Sequence, residues 1–571
     1  MFAFLATFSV LVVFTIVAYL LYASIPAFRD IGFFKFIFGS EWSAKTGVFG
    51  IWRMIVGTFI LTACAAALGG TLGIFTAIWL VFYCPKKLKK IYAQMINLLA
   101  GIPSIVYGLF GYKFLMPFLV NIFHPNNAGF GLLACTLVLS VMILPTIASI
   151  TRNSLEAVPM QYYEGALSLG CSKNQAVWKV LLPAARSGIV AAVILGIGRA
   201  IGETMAVQMI VGNGASYPFG AFVPFTTLTS NIVQNWGYAT PSEQSALIAD
   251  GFVLLLVILA LNLCLTAVKK PREGNKLFSR RLKEGEYADA PRSYRRTGIV
   301  TDTLWILSWI AAVLVAFVAA FIVIFVFVKG FPHLSVDFLF GKSGNAHTTL
   351  VPAFVSTIML IALALAIALP LGVGAAIFLN EYAKKGNFFV KLIRLFTDTL
   401  AGIPSIIFGL FGMVFFVIGM GMGYSLWAGG ITLALMILPT VVRSAEQSLS
   451  EVPDSMREAS YALGAGKLRT IFVVVLPQAI TGIVTSVILS IGRIVNESAA
   501  LIFTAGSASA FVPLGYGDGA ASLSVLVWKF MSNGLYVNEA YATASVLLIF
   551  VVVLNVLVTL TERLFQRKKK I

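Results

Sequence analysis

The chain has 571 residues, of which 59% are hydrophobic and 11% are charged, and its formal net charge is +18. This composition supplies far more apolar surface than a soluble core of that length buries, so it predicts an integral membrane protein and excludes a soluble globular one. The excess of Lys and Arg is expected to anchor the inner face against anionic membrane lipid, so we predict no nucleic-acid partner.

Twelve apolar stretches are long enough to span a bilayer, for which roughly 20 residues are needed. In chain order they lie near residues 3–27, 55–83, 92–120, 129–150, 187–211, 245–268, 301–328, 353–380, 388–420, 427–445, 481–505 and 538–561. We therefore predict an all-α protein with six spans at 1–268, a cytoplasmic linker at 269–298 and six spans at 299–571. An even number of spans per half makes the two halves parallel repeats.

Repeated blocks of sequence support this division. The segment A-G-I-P-S-I-V-Y-G-L-F-G recurs almost unchanged, and two further blocks recur with it. The matched pairs are Ala100–Gly111 with Ala401–Gly412, Met142–Thr146 with Met436–Thr440, and Gly188–Glu203 with Gly482–Glu497. Self-similarity of this kind indicates two copies of one structural unit.

The cations indicate how the spans are oriented, because short loops rich in Lys and Arg stay in the cytoplasm. Placing the N-terminus inside puts most of the cations on that side. The clusters concerned are Lys86–Lys90, Arg152–Lys179, the linker, Lys384–Arg394, Arg443–Arg469 and Arg563–Lys570. Both termini are thus predicted to be cytoplasmic. The first span has no cationic segment before it and is too long for a signal peptide, so we expect it in the mature protein.

Residues typical of enzymes and metal centres do not form recognisable motifs in the predicted spans. The five Cys lack C-x-x-C spacing, and the three His lie in predicted outer loops. Gly341-Lys-Ser343 resembles the end of a phosphate-binding loop, but Val336 occupies the position of its first Gly. We therefore expect no catalytic residue, metal ligand, cofactor site or nucleotide site in this chain.

Two hairpins in predicted cytoplasmic loops share one unusual pattern. Each has an acidic residue followed by small residues and a Gly, then nine residues and a V-x-L-P segment. The pattern residues are Glu164, Ala166, Gly170, Glu458, Ala459 and Gly464. Pro159 and Pro453 precede them, so each copy predicts a short helix that begins after a Pro and ends at a left-handed Gly. An ordinary interfacial helix would explain one copy, whereas two copies at matched spacing favour a docking role.

This E-x-A-x-x-x-G pattern resembles the coupling motif of ABC importer permeases, whose helix docks into a groove of a separate ATPase subunit. Phe38–Trp42 and Gly198–Val207 are similar to the first permease subunit of phosphate-specific ABC importers, and Ile491–Ala505 is similar to the second. Nearly the whole chain therefore resembles a fusion of the two subunits. It departs from the family pattern at Gly165 and Ser460, which replace Ala, and at Asn496, which replaces a frequent Gly.

The resemblance implies a type I ABC importer permease fold and a role in importing inorganic phosphate across the bacterial inner membrane. It also implies two ATPase subunits at the cytoplasmic face, which would hold ATP and Mg²⁺, and an extracytoplasmic phosphate-binding protein. No cofactor would be bound by the chain itself. Sulfate and molybdate permeases tend to have G-E-F-G after the equivalent Arg, so Gly202–Met205, which reads G-E-T-M, favours phosphate.

Arg199 and Arg493 each lie about 12 residues into a predicted span, or ~18 Å deep. A charge at that depth costs several kcal/mol unless it is paired or faces water. Glu203 and Glu497 follow at i+4, so we expect each Arg–Glu pair on one helical face. The pairs either lock helix packing as internal ion pairs or line a pathway in which two guanidinium groups bind a tetrahedral oxyanion.

Three alternatives to a phosphate permease remain open from the sequence. A permease for sulfate or molybdate would use the same fold and the same hairpins. A secondary transporter with 6 + 6 parallel spans, or a channel, would share the span pattern but would have no ATPase to receive the two hairpins.

Overall fold

The computed structural model describes residues 2–269, 294–341, 349–383 and 388–568, and most of them are helical. The strands in these ranges are short: β1 at Trp42–Ser43 pairs antiparallel with β2 at Val48–Phe49, and β3 covers Gly212–Ser216. The predicted 269–298 linker lies, apart from its two ends, outside the described residues.

The main helices of the first half recur in the same order in the second half. The first half contains α1 Phe2–Ala27, α2 Phe33–Phe38, α3 Trp52–Ile78, α4 Lys86–Gly101, α5 Ser104–Phe110, α6 Met116–Phe123, α7 Leu132–Glu156, α8 Met160–Ser168, α9 Lys173–Ala176, α10 Leu182–Ala184, α11 Arg186–Gly202, α12 Met205–Ile210, α13 Leu228–Asn235 and α14 Pro241–Lys269. The second contains α15 Tyr294–Gly330, α16 Val336–Phe340, α17 Val351–Ile377, α18 Phe388–Gly402, α19 Ser405–Gly412, α20 Leu426–Ser450, α21 Asp454–Ala462, α22 Lys467–Thr470, α23 Leu476–Val495, α24 Ala499–Thr504, α25 Leu523–Asn533 and α26 Val537–Lys568.

Several of these helices are flanked by π-helical segments, whose turns are wider because the hydrogen bonds join residues five apart, or by tighter 3₁₀ segments. The π-helical segments are Phe28–Gly32, Trp79–Tyr83, Gly111–Leu115, Val177–Leu181, Phe378–Tyr382, Met413–Gly419 and Ile471–Val475, and the 3₁₀ segments are Trp236–Tyr238 and Phe331–His333. Three of the π-helical segments in each half occupy corresponding places, so the duplication extends to these local irregularities.

The number of membrane spans confirms the predicted architecture. Ten helices of the described residues are long and apolar enough to cross a bilayer, and counting each of two bent helix pairs as one span gives twelve. One bent pair lies in each half, so each half has six spans. The protein is an all-α membrane protein built from two six-span repeats.

The repeated A-G-I-P-S segment is a helix break, which corrects the prediction of continuous spans at 92–120 and 388–420. Helix α4 ends at Gly101 and α5 begins at Ser104, with Ile102 in an extended conformation (ψ 128°). The helix bends by 96° at the equivalent break of the second half. The cause is Pro103 or Pro404, because a Pro lacks the N–H of a helical residue and disfavours helical backbone in the residue before it.

A second pair of breaks corrects the prediction that each Arg–Glu pair shares a helical face. Helix α11 ends at Gly202, and Glu203 is extended (φ −71°, ψ 129°) before α12 begins at Met205. Helix α23 likewise ends at Val495, two residues before Glu497. The expected i+4 geometry is therefore wrong, because both glutamates lie outside the helices that carry the arginines.

The first span of each half packs against the opposite half. Helix α1 contacts α17 and α18 besides α14 of its own half, and α15 contacts α3 and α4 besides α26 of its own half. The hydroxyl of Tyr19 on α1 donates to the carbonyl of Val414 at 3.2 Å, and the hydroxyl of Tyr92 on α4 donates to the carbonyl of Ala312 on α15 at 2.8 Å. The halves are thus interlocked, and one continuous buried core extends through both.

Small residues bring the central helices of each half together. A Cβ added at Gly69 on α3 would collide with Ser140 on α7, and one at Gly372 on α17 would collide with Val441 on α20. Helices α3 with α7 and α17 with α20 form the most extensive helix pairs of the described chain. Close approach of backbones at small residues is how helices associate without a hydrophobic driving force in lipid.

Candidate functional site

A cavity of about 770 Å³ lies between the two halves and is lined by residues of both. The four helix breaks meet at this cavity. Its polar lining residues are Asn97, Ser104, Arg199, Glu203, Thr204, Asn262, Ser405, Thr485, Arg493, Asn496, Glu497, Ser498 and Asn555. The structure therefore brings together all four residues predicted for the pathway, two from each half.

Contacts between the halves hold the breaks against each other. A Cβ added at Gly202 would lie 3.0 Å from Pro404 Cγ, so the first-half break packs directly on the A-G-I-P-S break of the second half. On the opposite side the Nδ2 of Asn496 donates to the carbonyl of Gly101 at 2.9 Å. Asn496, one of the positions at which the chain departs from the family pattern, thus forms a hydrogen bond between the halves.

Each arginine of the cavity is held by a threonine of its own half. Arg199 Nη1 donates to Thr146 Oγ1 at 2.8 Å, and Arg493 Nη1 donates to Thr440 Oγ1 at 3.1 Å. Within the described residues neither guanidinium forms an ion pair. A guanidinium has five N–H donors. Each arginine is therefore oriented by one hydrogen bond to a threonine and keeps further N–H donors with which it can bind an anion.

The two glutamates of the cavity accept hydrogen bonds from the short helices that follow them. Glu203 Oε1 accepts from the backbone N–H of Ala206 at 3.5 Å, and Glu497 Oε1 accepts from that of Ala500 at 3.1 Å. A carboxylate satisfies otherwise unpaired amides at a helix N-terminus. Each carboxylate therefore supports the start of the next helix.

Half-helices α13 and α25 hold the backbone at the same two positions. Thr229 Oγ1 on α13 donates to the Glu203 carbonyl at 3.0 Å, and Ser524 Oγ on α25 donates to the Glu497 carbonyl. The side chains of Ser104 and Ser405 lie beside the Glu203 and Glu497 carboxylates, respectively. Each glutamate is therefore fixed by its backbone and its side chain.

Sequence reasoning missed these supporting residues. Ser104, Ser405, Thr146 and Thr440 belong to the repeated blocks, so the repetition itself was a signal for them. Thr229 and Ser524 end the short triplets Thr227–Thr229 and Ser522–Ser524 at the starts of α13 and α25, in which a Leu lies between two hydroxyl residues, so the signal for them was weaker.

Like charges from the two halves are near one another in the cavity. Each Arg is near the Glu of its own half, which attracts it, and in addition Arg199 is near Arg493 and Glu203 is near Glu497, which repel each other. Repulsion between two cations in a low-dielectric site is relieved by an anion that contacts both. The two guanidinium groups can therefore bind an oxyanion between them. The negative charges of the two carboxylates repel the bound anion and so favour its release.

The two predicted hairpin helices are present as α8 and α21. Gly170 and Gly464 follow them with φ of +83° and +82°, which confirms the predicted left-handed ends. Glu164 and Glu458 are exposed on these helices.

The small residues of the two hairpins do not match as the spacing suggested. Ala166 is buried on α8, but its buried counterpart on α21 is Ser460, whereas Ala459 is exposed. The hydroxyl groups of Ser460 and Thr470 are 2.9 Å apart, which fixes α21 to the following helix. Leu169 and Leu463 at the two tips are 87% and 90% exposed, and the sequence pattern gave no reason to single them out.

Comparison with known families identifies the architecture. Residues 69–270 and 368–571 both match the family described as the binding-protein-dependent transport system inner membrane component. The chain belongs to this family. It is thus a multi-pass transport component of the inner membrane rather than an enzyme, and the membership separates it from secondary transporters with 6 + 6 spans.

The relatives that the chain resembles match either most of its length or rather more than a third of it. The chain is 27% identical to the phosphate transport system permease protein PstA homolog of Mycoplasma pneumoniae over 91% of this chain and 88% of the relative. It is 41% identical to the probable ABC transporter permease protein YqgH of Bacillus subtilis, over 37% of this chain and 68% of the relative. It is 36% identical to the phosphate transport system permease protein PstC of Mesorhizobium japonicum, over 39% and 74%, respectively.

Proposed function

We propose that the chain forms the complete transmembrane pathway of an ATP-driven importer of inorganic phosphate. The observation that carries the proposal is the cavity between the halves, to which Arg199 and Arg493 contribute one guanidinium each. Two guanidinium groups bind a tetrahedral oxyanion by charge-assisted, bidentate hydrogen bonds. Relatives named as phosphate transport permeases, one of them matched along most of its length, favour phosphate over sulfate or molybdate.

In this proposal, residues 1–268 and 299–571 are the two permease halves, and 269–298 is a cytoplasmic linker that joins them. Both termini and both hairpins lie in the cytoplasm, as the positions of the cations predict. One chain then supplies both walls of the pathway. A second copy is not needed to complete it.

We infer the cytoplasmic partners of the chain from its two matching hairpins. Two separate ATPase subunits, which hold ATP and Mg²⁺, would each receive one hairpin through the exposed tips at Leu169 and Leu463. The coupling residues are Glu164, Ala166 and Gly170 in the first hairpin and Glu458, Ala459 and Gly464 in the second. An extracytoplasmic phosphate-binding protein would deliver the anion to the opposite face. Closure of the ATPases would move the halves between inward-open and outward-open states.

Reconstitution of the chain in proteoliposomes with its ATPase and its phosphate-binding protein tests this function. We expect accumulation of labelled phosphate that requires ATP and the binding protein. Accumulation of sulfate or molybdate instead of phosphate would reassign the substrate. Uptake of phosphate driven by a proton gradient without ATP would overturn the ATP-driven mechanism.

A further inference from the structure

An ion pair in the second half connects the hairpin helix to the end of a span. Arg457 lies on α21, and Glu381 lies in the π-helical segment that extends α17. Arg457 Nη2 is 2.8 Å from Glu381 Oε1, and Arg457 Nε is 3.1 Å from Oε1 and 3.3 Å from Oε2. The two side chains are only 12% and 4% exposed, so solvent does little to weaken this pair.

The same arginine also holds the end of α20. Arg457 Nη1 donates to the Val452 carbonyl at 2.6 Å, and Nη2 donates to the Leu449 carbonyl at 2.9 Å. Asn380 donates to Glu381 Oε1 at 2.8 Å. One planar guanidinium with a fixed fork of donors therefore joins three elements, namely α17, α20 and α21.

The first hairpin lacks this attachment although its helix is otherwise equivalent. Helices α8 and α21 are both 9 residues long, and both are followed by a left-handed Gly. Tyr163 occupies the position of Arg457, one residue before the matched Glu164 and Glu458. Phe82 occupies the position of Glu381, one residue before the matched Tyr83 and Tyr382.

Apolar and aromatic contacts hold helix α8 of the first hairpin, whereas Asn174 on the following helix α9 forms oriented hydrogen bonds. Tyr163 and Phe82 pack around one small buried cluster together with Trp178. The hydroxyl of Tyr83 donates to Asn174 Oδ1 at 3.1 Å, and Asn174 Nδ2 donates to Asp302 on α15 at 2.7 Å. Apolar packing is not directional, so it resists small rotations of a helix less than a network of short, oriented hydrogen bonds does.

We propose that Glu381 and Arg457 are positioning residues that make the second hairpin a rigid attachment, whereas the first hairpin is compliant. This proposal rests on the proposed function in one respect, since it takes both hairpins to receive ATPase subunits. The force of ATPase closure would then reach the pathway mainly through α21. The two ATPase positions would be unequal even if the two ATPase subunits were identical.

The test exchanges the two kinds of attachment in the full chain. The variant Glu381→Phe/Arg457→Tyr gives the second hairpin the residues of the first, and Phe82→Glu/Tyr163→Arg does the reverse. Hydrogen exchange of the backbone amides at 160–168 and 454–462 measures the stiffness of each hairpin helix. The ratio of ATP hydrolysed to phosphate imported measures coupling. Glu446→Gln is the matched control, because it removes the 2.6 Å ion pair of Glu446 with the half-exposed Arg394 in the same half.

In the wild type we expect exchange at 454–462 to be slower than at 160–168 by about tenfold or more, as the loss of a charge-assisted hydrogen bond implies. Glu381→Phe/Arg457→Tyr should abolish the difference and raise the ATP used per phosphate several-fold while ATPase subunits still bind. The reverse variant should slow exchange at 160–168, and Glu446→Gln should change neither readout.

Equal exchange at the two helices of the wild type would overturn the proposal. So would unchanged coupling in Glu381→Phe/Arg457→Tyr, or an equal effect of Glu446→Gln. If the exchange difference is present but the wild type imports no phosphate with any ATPase, the rigid attachment stands and the proposed function fails.

Discussion

At the scale of single residues, Arg199 and Arg493 are anchored by threonines rather than by the glutamates that follow them in sequence. The Thr146 and Thr440 hydroxyls are neutral, so they orient the guanidinium groups without cancelling their charge. The carboxylates of Glu203 and Glu497 instead accept hydrogen bonds at the N-termini of the short helices α12 and α24. This division favours a role in the pathway over an internal lock between each Arg and its Glu.

Replacing Arg199 by Ala should lower phosphate uptake by about tenfold or more, because a charge-assisted contact to the anion is lost. Lys should restore uptake only in part, since an ammonium lacks the bidentate fork. Uptake in proteoliposomes is the measurement, with ATP hydrolysis in the presence of the ATPase subunits as the control for assembly. A structural lock predicts the opposite for Arg199→Ala/Glu203→Ala, namely normal transport, and that result would remove Arg199 from the pathway.

Asp250 supports a prediction about stability. It is fully buried on α14, where Oδ2 accepts from Asn231 at 2.9 Å and Oδ1 has no partner among the described residues. Burying a charged carboxylate that has one hydrogen bond costs more than burying a neutral amide, which can still accept the hydrogen bond from Asn231. Asp250→Asn should therefore raise the midpoint of thermal unfolding in detergent, whereas Asn231→Leu should lower it. A lower midpoint for Asp250→Asn would show that the acid stabilises the fold.

At the scale of elements, the left-handed end of the hairpin helix gives a matched pair of substitutions. Gly464 has φ +82°, whereas nearby Gly466 has φ −70°, and neither has an atom within 4 Å of an added Cβ. A side chain in the left-handed conformation costs about 1–2 kcal/mol. Gly464→Leu should thus misplace α21 and reduce uptake with the protein still inserted, while Gly466→Ala should transport normally. Normal uptake by inserted Gly464→Leu would refute the coupling role of this turn.

Sequence predicted the spans well because their determinant is local. Continuous hydrophobicity over a bilayer thickness needs no knowledge of the rest of the molecule. The breaks were missed although Pro103 and Pro404 were visible, because a Pro within an apolar stretch is also compatible with a helix that continues, as at Pro145 in α7 and Pro439 in α20. Whether a Pro breaks or merely interrupts a membrane helix depends on the neighbouring helices that satisfy the freed backbone groups.

At the scale of the whole molecule, the cavity exists only where the halves meet. Duplication predicted that Arg199 and Arg493 would be equivalent, and the structure brings both to one cavity. The contacts of α1 and α15 with the opposite half, which add to their contacts with α14 and α26 of their own half, were not predictable from the sequence. They are decided by long-range packing.

Cutting the chain within 272–294 and co-expressing the two parts should preserve most transport. The contacts of α1 with α17 and α18, and of α15 with α3 and α4, provide the surface for reassociation without a covalent link. Co-purification of the parts followed by uptake is the measurement. Two fragments that insert and associate but do not transport would show that the linker does more than join the halves.

The contacts of the first spans with the opposite half also affect the order of assembly during synthesis. Helix α1 is made well before α17, which it contacts and which begins only at Val351. At about 5–20 residues per second the intervening chain takes roughly 20–70 s to make. During that interval the face of α1 that will contact α17 is covered by lipid or by an insertion factor. A ribosome that stops between the halves therefore releases a protein in which α1 lacks its contact with α17, and quality-control proteases can recognise this protein as incomplete.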